Sequence, residues 1–436
     1  MKKIKVVWIC HFSNKEIRNK IPLSRLLFRT AIRKFLSKKG DLYHDFAPWV
    51  TNLAIEFEKF EQIELHILSP HIGLSKLMHS FQIRNINYHF FKPDVFDFID
   101  YPLSKIFKFN KKYYLNRYLV RRFVDDIKPD IINLIGSENP YYSISVLDLK
   151  GIPIFVSLQT VYTNPLRKQL SGECIELNWN VEMKIHKRFT YFGASGRKHR
   201  DLLLANNPKA IVFKMLFPIQ KPPNITEPSK VYDFVFFAAS VNQKKGVEDA
   251  IKAFGLVKKQ NKNISLNICG KCKTDYRIKL NTIIEKHDLT DNIYFTDYFT
   301  NHNDLHLQLK KAKYALLPYK LDVISSAIIE AILLELPVIS YKTTGTPYLN
   351  KDGETVLLAD IGDTQKLAEN MLRLINSPKL AEQLKRDAKA FVERDFDNTA
   401  SATRLVNNYR AVIDHYHNNT PIPEEQLFST EEFPLY

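Results

Sequence analysis

Glu330 is a lone carboxylate in an otherwise apolar helical stretch. Between residues 324 and 334 only Ser325, Ser326 and Glu330 are polar. A carboxylate buried there is costly unless it is paired or hydrogen-bonded. The structural reading is a Glu that reaches solvent past Ala327 and Ala331, or pairs with a neighbouring Lys. The functional reading rests on its surroundings. Ser326 lies one helical turn back on the same face, and Asp322 stands eight positions upstream. A helix starting near Val323 would leave the amides of 324–327 without intrahelical acceptors, a ready anion site built on Ile324, Ser325 and Ser326.

A second group of the same kind is Lys244-Lys245-Gly246, which follows an apolar run at 232–238 and opens a helical pattern. A lysine beside a glycine at a strand–helix junction can hold phosphate while the helix start supplies amides. The structural alternative is an exposed lysine at a turn. Gln159, at the end of an apolar run at 152–158, can offer its amide to a ligand but cannot shuttle protons. His11, just past the first strand, faces a corresponding edge. Cys269 and Cys272 have knuckle spacing, but no second pair lies at zinc-finger distance, so the reading there is structural. No Asp-x-Asp pair follows a strand, which fits metal-independent chemistry with no cofactor beyond the substrate.

These groups need a scaffold that brings strand ends together. The chain alternates apolar runs of four to seven residues with amphipathic helical patterns, the signature of α/β architecture with parallel sheets. Strands are expected at 4–10, 63–68, 86–91, 130–135 and 152–158, and a second series at 232–238, 264–269, 293–295, 314–317 and 337–341. A proline-rich stretch separates the two series. The expected organisation is a Rossmann-like domain at 1–217, a linker at 218–230, a second Rossmann-like domain at 231–397, and a helix with an acidic tail at 398–436. Ligands in such sheets bind at the carboxyl ends of the strands, so two such domains define a cleft between facing edges.

The 436 residues are 45% hydrophobic and 25% charged, which suits a globular protein with full cores. No apolar run approaches the roughly 20 residues needed to span a bilayer. The first residues read as a β-strand and not as a signal peptide, and four cysteines without framework spacing fit a reducing cytoplasm. The formal charge is +16, with twelve Lys/Arg and one acid in the first 40 residues. That imbalance suggests an anionic partner. Between Ile21 and Leu36, apolar residues alternate with Arg25, Arg29, Arg33 and Lys34. Such a helix either packs with a solvated basic side or lies on an anionic membrane surface. Nucleic acid is not the expected partner, because no aromatic-stacking or groove-reading motif accompanies the charge.

The stretch from Asp322 to Glu330 resembles the acid, seven residues, Glu signature of retaining glycosyltransferases of family 4, which adopt the GT-B fold. Asp322 stands where the family has its first Glu, and Glu330 on the second. The loop Thr343-Thr344-Gly345-Thr346-Pro347 resembles the Gly-Gly-x-Pro turn after the next strand. The Ser240…Lys245-Gly246 segment resembles a Gly-Arg…Lys-Gly pattern, with Ser240 in place of the Arg. Tyr348 replaces the usual acid after the turn, and Glu335 the usual Gly before the next strand.

The resemblance implies two Rossmann-like domains facing each other across a cleft. It also implies transfer of a sugar from a nucleoside diphosphate sugar to a lipid-linked or polysaccharide acceptor with retention, in cell-surface polysaccharide assembly. Glu330 would hold ribose, Asp322 the transferred sugar, and Lys245, Lys244 and the helix start the diphosphate. On the acceptor side it places Asp45 and Trp49, in a segment that replaces the family's glycine-rich loop, and Gln159, where many relatives have His. The alternatives are a GT-B nucleotide-sugar epimerase and a catalytically degenerate GT-B binding protein.

Overall fold

Strands that read as near-continuous apolar runs are buried on both faces. All five residues of Ile131–Ile135 are buried, as are Phe234, Val235, Phe236 and Phe237 in the strand Tyr232–Val241. Both are central strands of parallel sheets, where helices cover each face. The computed structural model describes residues 3–23, 47–93, 113–165, 167, 176–219, 221–222, 225–299, 301–321 and 324–431. Asp45, Asp322 and most of the basic 21–36 stretch lie outside the described residues.

The first sheet has eight strands: β1 (Ile4–Ile9), β2 (Ile63–Pro70), β3 (Met78–Ile83), β4 (Ile86–Phe91), β5 (Ile131–Ile135), β6 (Ile154–Ser157), β7 (Tyr191–Ala194) and β8 (Ile211–Lys214). Their order is β3-β4-β2-β1-β5-β6-β7-β8. All neighbours run parallel except β3, which pairs antiparallel with β4 through a hairpin at Arg84, whose φ is +52°. The sequence pattern alone predicts β4 but not β3. The chain order leaves β1 on either side, toward β2 and toward β5, so the strand order reverses there.

The second sheet contains β9 (Tyr232–Val241), β10 (Leu266–Cys272), β11 (Ile293–Thr296), β12 (Ala312–Leu317), β13 (Val338–Tyr341) and β14 (Leu357–Ala359), all parallel. Their order is β11-β10-β9-β12-β13-β14. This is the 3-2-1-4-5-6 arrangement whose reversal point, between β9 and β12, is the expected ligand crevice.

The helix Asn398–Asn418 returns from the second half to pack on the first sheet. Tyr409 is fully buried there, and its hydroxyl accepts from Trp8 Nε1 at 3.0 Å and from Asn133 Nδ2 at 2.6 Å. Where the chain crosses between the sheets, Asn398 binds both the N–H and the C=O of Ile219, at 2.8 and 2.9 Å. The stretch expected to be an acidic tail is in part structural: Leu427 bridges to Phe213, the Phe428 N–H bonds Val212 O at 2.8 Å, and Phe428 is buried. Tyr409→Phe strands two buried donors and is expected to cost about 1–3 kcal/mol. In urea denaturation the midpoint should fall at constant m-value. An unchanged midpoint would show that water replaces the hydroxyl.

Among the described residues, no helix is long and apolar enough to cross a membrane.

Candidate functional site

The reversal point of the second sheet gathers the two motifs that the sequence singles out. After β9 the chain turns through residues 243–245 and enters the helix Val247–Lys258. Gly246, at the junction, has φ +72°. A Cβ placed there would lie 1.9 Å from Pro318 O, just past the end of β12. Lys320 N–H also bonds Lys244 O at 3.1 Å. The lysine turn is therefore pressed against the loop that leads to Glu330. Lys245 Nζ sits 4.4 Å from the centre of the Tyr319 ring, a cation–π contact that holds the ammonium at this edge. Ser240, at the carboxyl end of β9, is exposed, and its carbonyl accepts from Asn242 Nδ2 at 3.0 Å.

The helix bearing Glu330 runs Ser326–Leu333, three residues later than the expected start near Val323. Ser325 is its N-cap residue and is buried, Ile324 precedes the cap, and Ser326 opens the first turn on the exposed side. The Ile328 and Ile329 N–H groups both point to Ser325 O, so the amides open to an anion are those at the very start of the helix. Gly345 is buried in the turn after β13, beside Thr346 and Thr343, whose hydroxyls are in contact. The Thr344 hydroxyl is buried with no hydrogen-bond partner among the described residues.

Glu330 is paired with histidine and not, as one sequence reading has it, with lysine or bulk water. His306 Nε2 donates to Glu330 Oε1 at 2.6 Å, and His302 Nδ1 lies 3.7 Å from the same oxygen. Burial pushes the Glu330 carboxyl up, but the hydrogen bonds and charge of His302 and His306 outweigh it and hold it below the usual range. The sequence signal for this pair was two histidines four residues apart on the helix His302–Lys310.

The first sheet presents its own edge to the same space. Gln159 and Thr160 follow β6, and with Arg167 they face Asn242, Lys244, Lys245 and Leu321 across a cavity of about 280 Å³. Arg167 Nη2 donates to Thr160 Oγ1 at 2.9 Å, with its guanidinium 4.7 Å from the centre of the Tyr162 ring. Three cations from two domains thus surround one cavity. Arg167 and Asn242 were not singled out in the sequence. Asn242 Oδ1 is buried and lacks a hydrogen-bond partner among the described residues.

Behind Gln159 lies Gly136, with φ +85°. A Cβ there would meet Gln159 Oε1 and Tyr142 Oη at 2.8 Å and Glu138 Oε1 at 3.0 Å. Burial raises the Glu138 carboxyl to about 8 and that of Glu182 to about 7. His11 contacts the Tyr141 hydroxyl, and burial with the neighbouring His71 lowers it to about 4. It is a neutral ring inside the first-domain edge and not a lining residue of the cavity. The Trp49 indole packs against Phe217, ring centres 4.4 Å apart, at the start of the linker.

Two parallel sheets with reversal-point edges facing one cavity define the GT-B glycosyltransferase architecture. Solved structures bear this out at the level of fold. Sucrose-phosphate synthase from Thermosynechococcus elongatus is similar with a TM-score of 0.67 and 13% identity, covering 94% of this chain and 98% of that one. HepE from Anabaena, solved with UDP and glucose, is similar with a TM-score of 0.61 and 13% identity, covering 94% and 100%. Residues 220–391 match the family described as glycosyl transferases group 1. The amylovoran biosynthesis glycosyltransferase AmsK of Erwinia amylovora is 30% identical over 177 residues, 39% of this chain and 43% of AmsK. The chain spans less than half the length of the curated relatives it matches.

Proposed function

We propose that the protein transfers a sugar from a nucleoside diphosphate sugar to a glycan or lipid-linked acceptor, with retention of anomeric configuration, in the assembly of a cell-surface polysaccharide. The observation that carries this reading is the cationic cavity at the β9/β12 reversal point, where Lys244 and Lys245 face Gln159, Thr160 and Arg167 of the first-domain edge, with the loop from Leu321 leading on to the helix that bears Glu330. AmsK, by its name a glycosyltransferase of polysaccharide biosynthesis, supports the process, and HepE with UDP supports the donor class.

Charge builds on the diphosphate as the glycosidic bond breaks. In this reading Lys245, Lys244 and Arg167, with the first amides of the Ser326 helix, offset it, the electrostatic contribution that usually dominates such catalysis. Arg167 reaches in from the opposite domain and supplies the guanidinium contact that Ser240 cannot. With these cations in place the diphosphate is neutralised without a metal ion. Glu330, kept as a carboxylate by its histidines, accepts from the ribose hydroxyls. Asp322 orients the transferred sugar, and Gln159 and Thr160 receive it or the acceptor from the other side. The reaction runs in the cytoplasm, and the basic stretch before residue 40 draws the enzyme to an anionic membrane surface where a lipid-linked acceptor resides.

The test is thermal stabilisation by a panel of nucleoside diphosphates and their sugars on wild type, Glu330→Gln and Glu330→Ala. At one hundred times its dissociation constant the correct nucleotide adds about 2.7 kcal/mol to wild type. Both variants should lose most of that increment, with their ligand-free melting points recorded alongside. If no nucleotide shifts the wild type at millimolar concentration, the donor site is not there.

A further inference from the structure

We propose that His302, His306 and Glu330 form a binding site for one divalent transition-metal ion of the zinc type. The two histidines lie four residues apart on the helix His302–Lys310, so their rings project from one face. Glu330 enters from the neighbouring helix. Its Oε1 is 2.6 Å from His306 Nε2 and 3.7 Å from His302 Nδ1, and one ligand atom from each residue lies within 4.8 Å of the others. Around a tetrahedral zinc with bonds of about 2.0–2.1 Å, ligand atoms stand roughly 3.3 Å apart. The two distances to Glu330 Oε1 bracket that value, and rotation of the exposed His302 ring would close the remaining gap.

Two imidazole nitrogens and one carboxylate oxygen suit zinc, cobalt or nickel, and not magnesium or calcium, which take oxygen shells. Three protein ligands leave a fourth position for water or substrate. The way in is open, since the His302 side chain is 56% exposed while that of His306 is 2% exposed. Buried His306 Nδ1 has no hydrogen-bond partner among the described residues. In the metal-free protein His306 Nε2–H donates to Glu330 Oε1. With an ion on Nε2 the ring's remaining N–H is on the unpartnered Nδ1. Because a ligating imidazole ordinarily donates its other N–H, this site is an exchangeable one and not a permanent structural centre.

The consequence rests on the donor reading above. An ion at this site takes the Glu330 carboxylate that would otherwise receive ribose, so zinc and nucleotide compete. Zinc then acts as an inhibitor of donor binding, while the transfer itself remains metal-independent.

The experiment is calorimetric titration of Zn2+, with Mg2+ as a control, into the full chain in a non-chelating buffer, repeated with Co2+ and read by its visible absorption. Wild type should take up one Zn2+ per chain and give the tetrahedral cobalt spectrum. His302→Ala, at an exposed helix start, and Glu330→Gln should each weaken uptake at least about tenfold. Cys272→Ser should leave it unchanged. Absence of uptake by wild type overturns the proposal, and so does uptake by His302→Ala as tight as wild type. Nucleotide stabilisation is then measured with and without Zn2+. Nucleotide binding without any zinc uptake sinks the metal site alone. Histidine-dependent zinc uptake without nucleotide binding in the metal-free protein sinks the donor reading alone.

Discussion

Gly246→Ala is expected to destabilise the protein by roughly 3–5 kcal/mol and to abolish nucleotide binding together with it. Two penalties add. The left-handed φ of +72° costs a non-glycine residue about 1 kcal/mol. The larger part is contact: a Cβ 1.9 Å from Pro318 O can be accommodated only by moving backbone at the end of β12. That movement carries the loop leading to the Ser326 helix away from Lys245, so stability and donor affinity fall for one reason. Gly151→Ala is the control. Gly151 has a nearly identical φ of +74° but nothing within 4 Å of its Cβ position, so it should lose only the conformational part, about 1 kcal/mol. Chemical denaturation of both variants decides the matter. Equal losses would mean that the β9 turn and Pro318 are not packed as described.

The second large effect is a pH dependence assigned to Glu138. Its carboxyl is raised to about 8, by burial first and then by the nearby Glu182, with its own amide and Arg167 acting in the opposite sense. Tyr141 and Tyr142 also face it. A raised carboxyl binds its proton in the folded protein at pH values where the unfolded chain has released it. Folding stability therefore falls as pH rises from the ordinary Glu range to about 8, and is level above that. Glu182, raised to about 7, acts in the same direction. His11, His186 and His199, lowered to about 4, 4 and 3, act in the opposite one at more acid pH.

Comparing Glu138→Gln with wild type cancels the shared contributions. The variant should gain on wild type by up to about 1.4 kcal/mol per pH unit, or roughly 2.3 kcal/mol between pH 6 and 8 because the slope flattens as Glu138 ionises near 8. A difference that does not change with pH would mean that Glu138 ionises normally and is solvated.

Much of the fold was legible because parallel strands covered on both faces must be mostly apolar, and the runs at 4–10, 130–135 and 232–238 are, apart from Lys5, Asp130, Asn133 and Asp233. The antiparallel β3 was not, because an edge strand buries only part of itself: in Met78–Ile83 no residue is fully buried, and its hairpin turns on Arg84-Asn85 without a glycine. Lys245-Gly246 and Glu330 stood out because each breaks a local pattern, a lysine at a strand–helix junction and an acid in an apolar helix. Their partners did not. His302 and His306 answer to a carboxylate 24 or more residues away, and Arg167 to lysines in the other domain; such pairings depend on how helices and domains pack, which no single stretch of sequence records. The acidic end of the chain read as a tail because its two anchoring residues, Leu427 and Phe428, are too few to form a pattern.

The return of the last long helix to the first sheet sets an order on the making of the protein. Trp8 and Asn133 bury donors whose acceptor is the hydroxyl of Tyr409. On a ribosome adding about 5–20 residues each second, some 400 residues separate the first strand from that partner, a wait of roughly 20–80 s. Through that interval the face of the first sheet that Tyr409, Leu405 and Val412 later cover stands open. The second domain, whose six strands and covering helices are complete by residue 395, is finished before the first one. Thus the half made first is the half completed last, and it is the half that needs protection from aggregation while it waits.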